Sequence, residues 1–167
     1  SPERDRILNV VDEFSAEFND TLGDLLTWRR DVRHFRKDAI DEGILAQLFS
    51  LAQRAPSVGN SQPWRFVRVQ SPAQREALAL HVDREIIEAG THLLDQTKRN
   101  AYAALKLHGL HEAPEIIGVF CDDATRDGSG LGAATMPETR AYSVVLAIHT
   151  LWLAARARGL ALGWVSI

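Results

Sequence analysis

The sequence predicts one domain of mixed α/β or α+β class, in which helices flank a central sheet. Segments with apolar residues every three or four positions alternate with short segments rich in aromatic and β-branched residues. The most apolar helical segment lies near the end of the chain, where we expect a buried helix. Strand order and direction stay open at this level.

The first two predicted helices flank a basic cluster. Residues 6–26 carry apolar side chains at helical spacing, and a second such set predicts a helix that stops at Pro56 and Gly59. The first set is Leu8, Val11, Phe14, Phe18, Leu22 and Leu25, and the second is Ile40, Ile44, Leu45, Leu48, Leu51 and Ala52.

Three segments are predicted as strands, at residues 64–70, 114–123 and 160–167. The middle segment, PEIIGVFCDD, is apolar on both faces, so we expect it at the centre of the sheet. After the first strand, Ser71 and Pro72 predict a helix start. One helix is expected to reach about His81, and a further helical stretch covers 84–107 with a break near Gly90.

The last predicted helix covers residues 139–158 and follows a glycine-rich loop, RDGSGLGAATM. It is apolar almost all round and is therefore expected to be buried, with Gly159 as its C-terminal cap. The strand after it ends at Ile167 without a turn, cap or polar tail. We expect residues 1–167 to form a single domain. The abrupt end after the last strand also suggests that the full domain has further C-terminal residues.

Composition excludes several classes of function. The chain has 167 residues, 46% of them apolar, and a formal net charge of −3, so general binding to nucleic acid is not expected. Cys121 is the single cysteine, which fits a reducing, cytoplasmic compartment. The N-terminus has no apolar run of signal-peptide length, and the apolar segment 142–157 is interrupted by His149 and Arg156, so no membrane span is expected.

The segment RRDVRHFR, residues 29–36, is the first candidate for chemistry. Its guanidinium groups at Arg29, Arg30 and Arg33 suit the oxygens of a phosphate. Asp31 lies in the middle of this cluster. A site that only binds an anion would not need a carboxylate there. The alternative is a solvated charged surface in which Asp31 pairs with one of the Arg residues.

The loop APSVGNSQPW is the second candidate, because it offers compact hydrogen-bonding groups between residues that rigidify the backbone. The hydrogen-bonding residues are Ser57, Asn60, Ser61 and Gln62. An ordinary turn between a helix and a strand would have a similar composition.

Other polar residues give weaker signals. His108, His111 and Glu112 lie close in sequence, but no HExxH motif or zinc-ligand spacing is present, so no metal is expected. We interpret His149 as a core residue and Cys121 as a small buried hydrophobe. No phosphate-binding P-loop and no G-x-S-x-G motif occurs, and the glycine-rich loop lacks the strand context of a dinucleotide site.

The order of four motifs is more specific than any one of them. RRDVR, SVGNSQPWRF, TMPE and GWVSI follow one another along residues 25–167, and in this order the chain resembles the nitroreductase-like flavoprotein superfamily. Within that superfamily it most resembles the 5,6-dimethylbenzimidazole synthase (BluB) family. Ordinary nitroreductases tend to have a small residue where this chain has Asp31.

The resemblance implies an α+β fold with a mixed central sheet flanked by helices, a homodimer, and FMN bound at the dimer interface. It implies that reduced FMN is the substrate, that O2 fragments it to 5,6-dimethylbenzimidazole, and that a separate reductase supplies the reduced flavin. In that family the chain continues past GWVSI with further flavin contacts.

The resemblance also implies roles for individual residues. Arg29, Arg30 and Arg33 would hold the phosphate and ribityl region, and Asp31 and Ser166 would be catalytic. Asp31 would transfer protons beside the ribityl chain, and Ser166 would lie near the flavin ring. The remaining expected flavin contacts are Val32, Pro56, Ser57, Val58, Gly59, Ser61, Gln62 and Lys106.

Two other functions remain open from the sequence. The first is an NAD(P)H-dependent FMN nitroreductase or quinone reductase of the same fold, in which FMN is recycled. The second is a protein that binds or stores flavin without chemistry, which would need the basic cluster and the polar loop but neither Asp31 nor Ser166.

Overall fold

The computed structural model describes residues 13–91, 95, 97 and 109–165. These residues form helices around a two-stranded sheet, which agrees with the mixed class expected from the sequence. In chain order the elements are α1 (Ala16–Trp28), α2 (Glu42–Ala52), a 3-10 turn (Val58–Asn60), β1 (Trp64–Arg68), α3 (Pro72–Thr91), α4 (Gly109–Glu112), β2 (Ile117–Cys121) and α5 (Thr139–Ala157).

Local hydrogen bonds explain where the helices begin and end. The hydroxyl of Ser15 accepts from the amide of Phe18 at the start of α1, and Asp41 Oδ1 accepts from the amide of Ile44 at the start of α2. Helix α5 ends with Gly159 at φ 73°. The amide of Leu160 donates to the carbonyl of Ala155, as in a Schellman motif, so the predicted glycine cap is confirmed.

Strands β1 and β2 pair antiparallel, with Trp64 opposite Cys121 and Arg68 opposite Ile117. The prediction that the second strand is central is wrong for the described residues, because β2 pairs only with β1 there and Phe120 is 58% exposed. The predicted third strand is reduced, over its described part, to one parallel bridge between Asp31 and Leu162. Its partner segment is irregular rather than a strand, so no ladder extends from the bridge.

Helix α5 lies at the centre of the fold and packs against α2, both strands and α1. Two clusters of buried side chains hold it there. One contains Leu48, Ala52, Leu151 and Ala155, and the other contains Ala55, Trp64, Val144 and Ala147. The first joins α5 to α2, and the second joins it to β1.

The expectation that α5 is buried all round is wrong for the isolated chain. Tyr142 is 54% exposed, and Val145 and Leu146 beside it are also exposed. The apolar side chains of α1 are exposed as well, with Phe14 at 68%. Exposed apolar side chains therefore lie on both α5 and α1, which pack against each other. Adjacent exposed apolar residues are typical of an interaction surface.

One further boundary differs from the prediction. Helix α3 continues from Pro72 to Thr91, so the expected end near His81 is wrong. The end at Thr91 agrees with the expected break near Gly90, since residue 95 is not helical. The remainder of the predicted helix over 84–107, and the start of the first helix with Leu8 and Val11, lie largely outside the described residues. Among the helices that are described, none is both long and apolar enough to cross a bilayer.

Candidate functional site

The basic cluster begins where α1 ends. The amide of Arg29 closes the helix by donating to the carbonyl of Leu25 at 3.0 Å, and its guanidinium carbon lies 4.7 Å from the ring centroid of Trp152. Arg30 Nη1 donates to the carbonyls of Thr27 and, at 2.9 Å, of Arg29. Arg30 therefore satisfies carbonyl groups that the end of a helix leaves without partners.

Asp31 is joined to the segment that precedes the C-terminus. Its Oδ1 accepts from the amide of Trp164 at 2.9 Å, and its Oδ2 forms an ion pair with Arg33 Nη2. Arg33 Nη1 donates to the carbonyl of Trp164 at 3.0 Å, and the amide of Val32 donates to the carbonyl of Leu162 at 3.2 Å. The pairing of Asp31 with an Arg residue is thus observed, while 37% of the Asp31 side chain remains exposed.

A depression of about 250 Å³ opens beside this cluster. It is lined by Trp28, Arg30, Val32, Trp152, Arg156, Leu160 and Ala161. Sequence reasoning missed Arg156 as a site residue, although its position one helical turn after Trp152 on α5 placed the two side chains on one face. The depression combines aromatic walls with guanidinium groups, which suits an anionic ligand that also carries apolar surface.

The polar loop, residues 56–62, is folded into a tight turn. Ser57 Oγ accepts from the amide of Gln62 at 3.1 Å, and the amide of Val58 donates to Ser143 Oγ on α5 at 3.0 Å. Asn60 and Gln62 have positive φ values of 57° and 43°, which are uncommon for residues with a side chain. The loop is thus more constrained than an ordinary connection between a helix and a strand.

Ser61 supplies the clearest sign of a missing partner in this loop. Its side chain is only 4% exposed, and its Oγ has no hydrogen-bond partner among the described residues. Buried hydroxyl groups are nearly always hydrogen-bonded, so the group is suited to a ligand or to a residue elsewhere in the assembly. A hydroxyl that can donate or accept fits the heteroatoms of a flavin, the ligand that the resemblance implies for Ser61.

The glycine-rich loop packs directly on the polar loop. The amide of Ser129 donates to the carbonyl of Gly59 at 2.8 Å. A Cβ atom at Gly128 would lie 2.2 Å from that same carbonyl oxygen, and a Cβ at Gly132 would lie 2.9 Å from Val58 Cγ2. Gly128 thus allows two backbones to touch, and Gly132 leaves room for the Val58 side chain. The spacing of the glycines in the sequence did not identify these roles.

The two candidate clusters contact different parts of α5. The basic cluster contacts Trp152, and the polar loop contacts Ser143, nine residues earlier in the chain. Nine residues correspond to about two and a half helical turns and about 13 Å of rise. The two clusters of one chain therefore lie at separate positions along the helix and on opposite sides of it.

The remaining candidate residues have various positions. Ser166 and Lys106 lie outside the described residues. Pro56 and Gln62 are exposed, and His149 is exposed as well, so its prediction as a core residue is wrong. No group of three potential metal ligands occurs in the described part of the chain.

Cys121 is half-buried on β2 rather than fully buried. Burial raises the pKa of its thiol to about 11, and the hydrogen bond from Sγ to Asp123 Oδ1 at 3.3 Å acts in the same direction. Such a thiol stays protonated near neutral pH and is a poor nucleophile. Cys121 therefore has no catalytic features.

Comparison with known proteins places this arrangement in a family. The nitroreductase family model matches residues 26–167. A 5,6-dimethylbenzimidazole synthase of Rhodospirillum rubrum is 60% identical over 154 residues, which cover 92% of this chain and 72% of that protein. Another, from Rhodobacter capsulatus, is 46% identical over 154 residues, which cover 92% of this chain and 74% of that one.

A solved structure agrees with the sequence comparisons. Oxidized iodotyrosine deiodinase, crystallised with FMN and 3-iodo-L-tyrosine, superposes with a TM-score of 0.68 at 27% identity, over 84% of this chain and 71% of that one. The α+β nitroreductase-like fold expected from the motifs is confirmed. The chain belongs to the nitroreductase family and, within it, to the 5,6-dimethylbenzimidazole synthases.

Proposed function

We propose that this chain converts reduced FMN and O2 to 5,6-dimethylbenzimidazole, with the flavin as the substrate that is fragmented. The names of the two relatives support this proposal. The structural observation that carries it is the position of Asp31, a half-exposed carboxylate fixed between the basic cluster and the backbone of Trp164. A recycled cofactor would need the cluster but not a carboxylate at its centre.

Arg29, Arg30 and Arg156 are the residues that would hold the phosphate end of the flavin. Arg30 and Arg156 line the same depression, and Arg29 stacks on Trp152, which also lines it. Guanidinium groups bind phosphate oxygens through short, charge-assisted hydrogen bonds. Their planar faces leave the N–H edges available when they stack on aromatic rings, so the contact of Arg29 with Trp152 orients the group without occupying its donors.

Asp31 is the proposed general acid–base. One of its oxygens faces the amide of Trp164 and the other faces Arg33, and these contacts fix the orientation of the carboxylate. A carboxylate held in this way can accept and return a proton at the ribityl chain while bonds there break, which is worth about 10²–10⁴-fold in rate. Ser166, two residues after Trp164, is the second proposed catalytic group.

The polar loop would contact the flavin ring. Ser61 offers its buried hydroxyl, and Ser57, Val58, Gly59 and Gln62 offer the backbone of a constrained turn. Since this loop and the basic cluster lie on opposite sides of α5, we propose that each flavin is contacted by the basic cluster of one subunit and the polar loop of another. A homodimer also accounts for the exposed apolar side chains of α5 and α1.

The subunit arrangement has its own test. Leu146→Asp introduces a charge into the exposed apolar face of α5, and we expect sedimentation analysis to show a shift from dimer to monomer. FMN binding is expected to fall with dissociation, because neither subunit alone would hold both halves of the site. A monomeric variant that binds FMN as tightly as the wild type would contradict the composite site.

The reaction is tested with chemically reduced FMN, the full chain and air, followed by chromatography of the products. Formation of 5,6-dimethylbenzimidazole is the expected result, and recovery of all the flavin as oxidised FMN would overturn the proposal. Reduced flavin added directly replaces the separate reductase that we propose as its source in the cell. Rapid oxidation of NADPH with a nitroaromatic acceptor would instead favour an ordinary nitroreductase.

A further inference from the structure

Arg33 and Asp31 together bind the backbone of one distant residue, Trp164, which lies more than 130 positions later in the sequence. Both polar backbone groups of Trp164 are bound by this pair, the amide by Asp31 Oδ1 at 2.9 Å and the carbonyl by Arg33 Nη1 at 3.0 Å. The second terminal nitrogen of Arg33 is bound to Asp31 Oδ2, which closes a ring of three contacts. Both terminal nitrogens of Arg33 are thus engaged within the protein.

We propose that Arg33 is a positioning residue for the reaction, and that it acts on the flavin through Asp31 and Trp164 rather than by binding the phosphate. This inference rests on the proposed function, since it assigns a role within that same site. It differs from the sequence-based expectation, which grouped Arg33 with Arg29 and Arg30 as a phosphate ligand.

The backbone contacts around Asp31 and Arg33 support a positioning role. The amide of Val32, which lies between them, donates a hydrogen bond to the carbonyl of Leu162 at 3.2 Å. A Cβ atom at Gly163 would lie 2.3 Å from the carbonyl oxygen of Val32, so the two backbones are in direct contact. Contacts on both sides of Gly163 therefore fix the register between residues 31–33 and 162–164.

The arrangement separates Arg33 from the other arginines. Arg30 and Arg156 line the depression beside the cluster, and Arg29 stacks on Trp152, which lines it too. Arg33 does not line that depression. Its side chain is 36% exposed and donates to the carbonyl of Trp164, two residues before Ser166 in the sequence. Arg33 therefore holds the proposed acid–base and the backbone leading to Ser166 in a single unit.

The experiment compares the binding of FMN with that of riboflavin, which lacks the phosphate, by fluorescence titration of the full chain. A phosphate ligand contributes to the preference for FMN, so Arg29→Gln is expected to lower the ratio of the two affinities about tenfold or more. Arg33→Gln is expected to leave this ratio within about twofold of the wild type, because the proposed phosphate ligands Arg29, Arg30 and Arg156 are unchanged.

The kinetic readout separates positioning from general structural support. For Arg33→Gln we expect kcat for product formation to fall about tenfold or more with KM for reduced FMN little changed, since orientation of the acid–base is lost while binding is kept. Arg33→Lys can donate to one partner but cannot reproduce the fork, so an intermediate kcat is expected. Urea unfolding of both variants identifies any loss of fold. If the Gln variant is unfolded, the kcat and KM of the Lys variant still test the positioning role.

The outcomes distinguish this inference from the proposed function. A fall in the FMN-to-riboflavin ratio for Arg33→Gln as large as that for Arg29→Gln would overturn the positioning role, whatever the reaction is. Absence of 5,6-dimethylbenzimidazole with the wild-type chain would overturn the proposed function. The ratio of FMN to riboflavin affinity would still show whether Arg33 binds the phosphate. An unchanged kcat in Arg33→Gln would also count against the positioning role.

Discussion

Ser143 Oγ on α5 accepts a hydrogen bond from the amide of Val58 at 3.0 Å and donates one to the carbonyl of Thr139 at 2.7 Å. This buried hydroxyl thus connects the central helix to the polar loop. A backbone amide that loses such a partner inside the protein retains its full desolvation cost. The loop is therefore held in its unusual backbone conformation by a group that lies 85 residues away in sequence.

Ser143→Ala is predicted to destabilise the chain by about 1–3 kcal/mol, because the amide of Val58 is left without a partner. The matched control is Thr150→Ala on the same helix, where the hydroxyl bonds only the carbonyl of Leu146 within the helix. That variant is expected to stay within about 0.5 kcal/mol of the wild type. Urea unfolding followed by circular dichroism measures both, and equal effects would show that the loop contact adds nothing.

Asp31→Asn is predicted to lower the rate of 5,6-dimethylbenzimidazole formation about a hundredfold or more, since an amide cannot act as the general acid–base. Asn retains an oxygen that can accept from the amide of Trp164, so FMN affinity is expected to change little. Asp38→Asn is the control, because Asp38 is also paired with an arginine, Arg36, but on an exposed surface. Product formation at the wild-type rate in Asp31→Asn would exclude Asp31 as the acid–base.

Gly163→Ala is predicted to destabilise the chain and to disturb the contact between the two backbones. The new Cβ would meet the carbonyl oxygen of Val32 at 2.3 Å, and neither backbone can move aside without breaking the bridge. Gly23→Ala is the matched control, because a Cβ at Gly23 on α1 has no atom within 4 Å. Alanine there is expected to stabilise by roughly 0.5–1 kcal/mol, as for glycine within a helix. Thermal unfolding should thus shift in opposite directions for the two variants.

Cys121 is predicted to react slowly with iodoacetamide at pH 8. Burial, followed by the hydrogen bond to Asp123, raises the pKa of its thiol to about 11, so the native protein holds little thiolate at that pH. We expect alkylation about a hundredfold slower than in urea-unfolded protein, measured by mass spectrometry. Similar rates in the two states would contradict the raised pKa.

The same shift has a consequence for stability at alkaline pH. A thiol whose pKa is higher in the folded protein stabilises the fold below its unfolded pKa, and this contribution is lost as the pH rises through about 11. Cys121→Ser should remove this part of the pH dependence. Unfolding curves of the wild type and the Ser variant are therefore expected to differ less at strongly alkaline pH than at pH 8.

Glu42 is predicted to stabilise the fold in a pH-dependent way. Its hydrogen bonds with the Arg68 guanidinium, at 2.7 and 2.9 Å, lower the pKa of the Glu42 carboxyl. A lowered pKa gives stability that is present above the unfolded pKa and is lost as the pH falls through the folded value. The difference in unfolding free energy between wild type and Glu42→Gln should therefore shrink on acidification.

The control for this prediction is again Asp38→Asn, because its partner Arg36 is 90% exposed, whereas Arg68, the partner of Glu42, is 24% exposed. Exposed pairs contribute little to stability, so the variant should unfold like the wild type at each pH. A Glu42→Gln variant whose stability difference is constant from neutral to acidic pH would show that the Arg68 contact does not depend on the charge of Glu42.

Elements with a strong local pattern were predictable from the sequence. Helix α2, strand β1 and helix α5 begin or end within about two residues of the predicted positions, because apolar spacing and flanking Pro or Gly residues set their bounds. The nitroreductase-like fold was implied by the resemblance of the ordered motifs to that superfamily. The predicted pairing of Asp31 with an arginine was one of two alternatives, and the contact with Arg33 agrees with it.

Features that depend on distant parts of the chain were not predictable. The contact between Asp31 and Trp164 joins residues 133 positions apart and has no local signature. The length of the third strand was overestimated. A segment rich in β-forming residues pairs over several residues only where its partner segment is extended too. The exposure of Tyr142 on α5 was missed for a related reason, since apolar composition does not say whether a side chain is covered within its own chain.

Helix α5 carries the contact points of both the basic cluster and the polar loop, at Trp152 and Ser143. Inserting or deleting one residue between these points would rotate one relative to the other by roughly a quarter turn, given 3.6 residues per turn. Such a change would misalign the two anchors while leaving the apolar content almost untouched. The number of residues between the two anchors is therefore constrained more tightly than the identity of the apolar side chains between them.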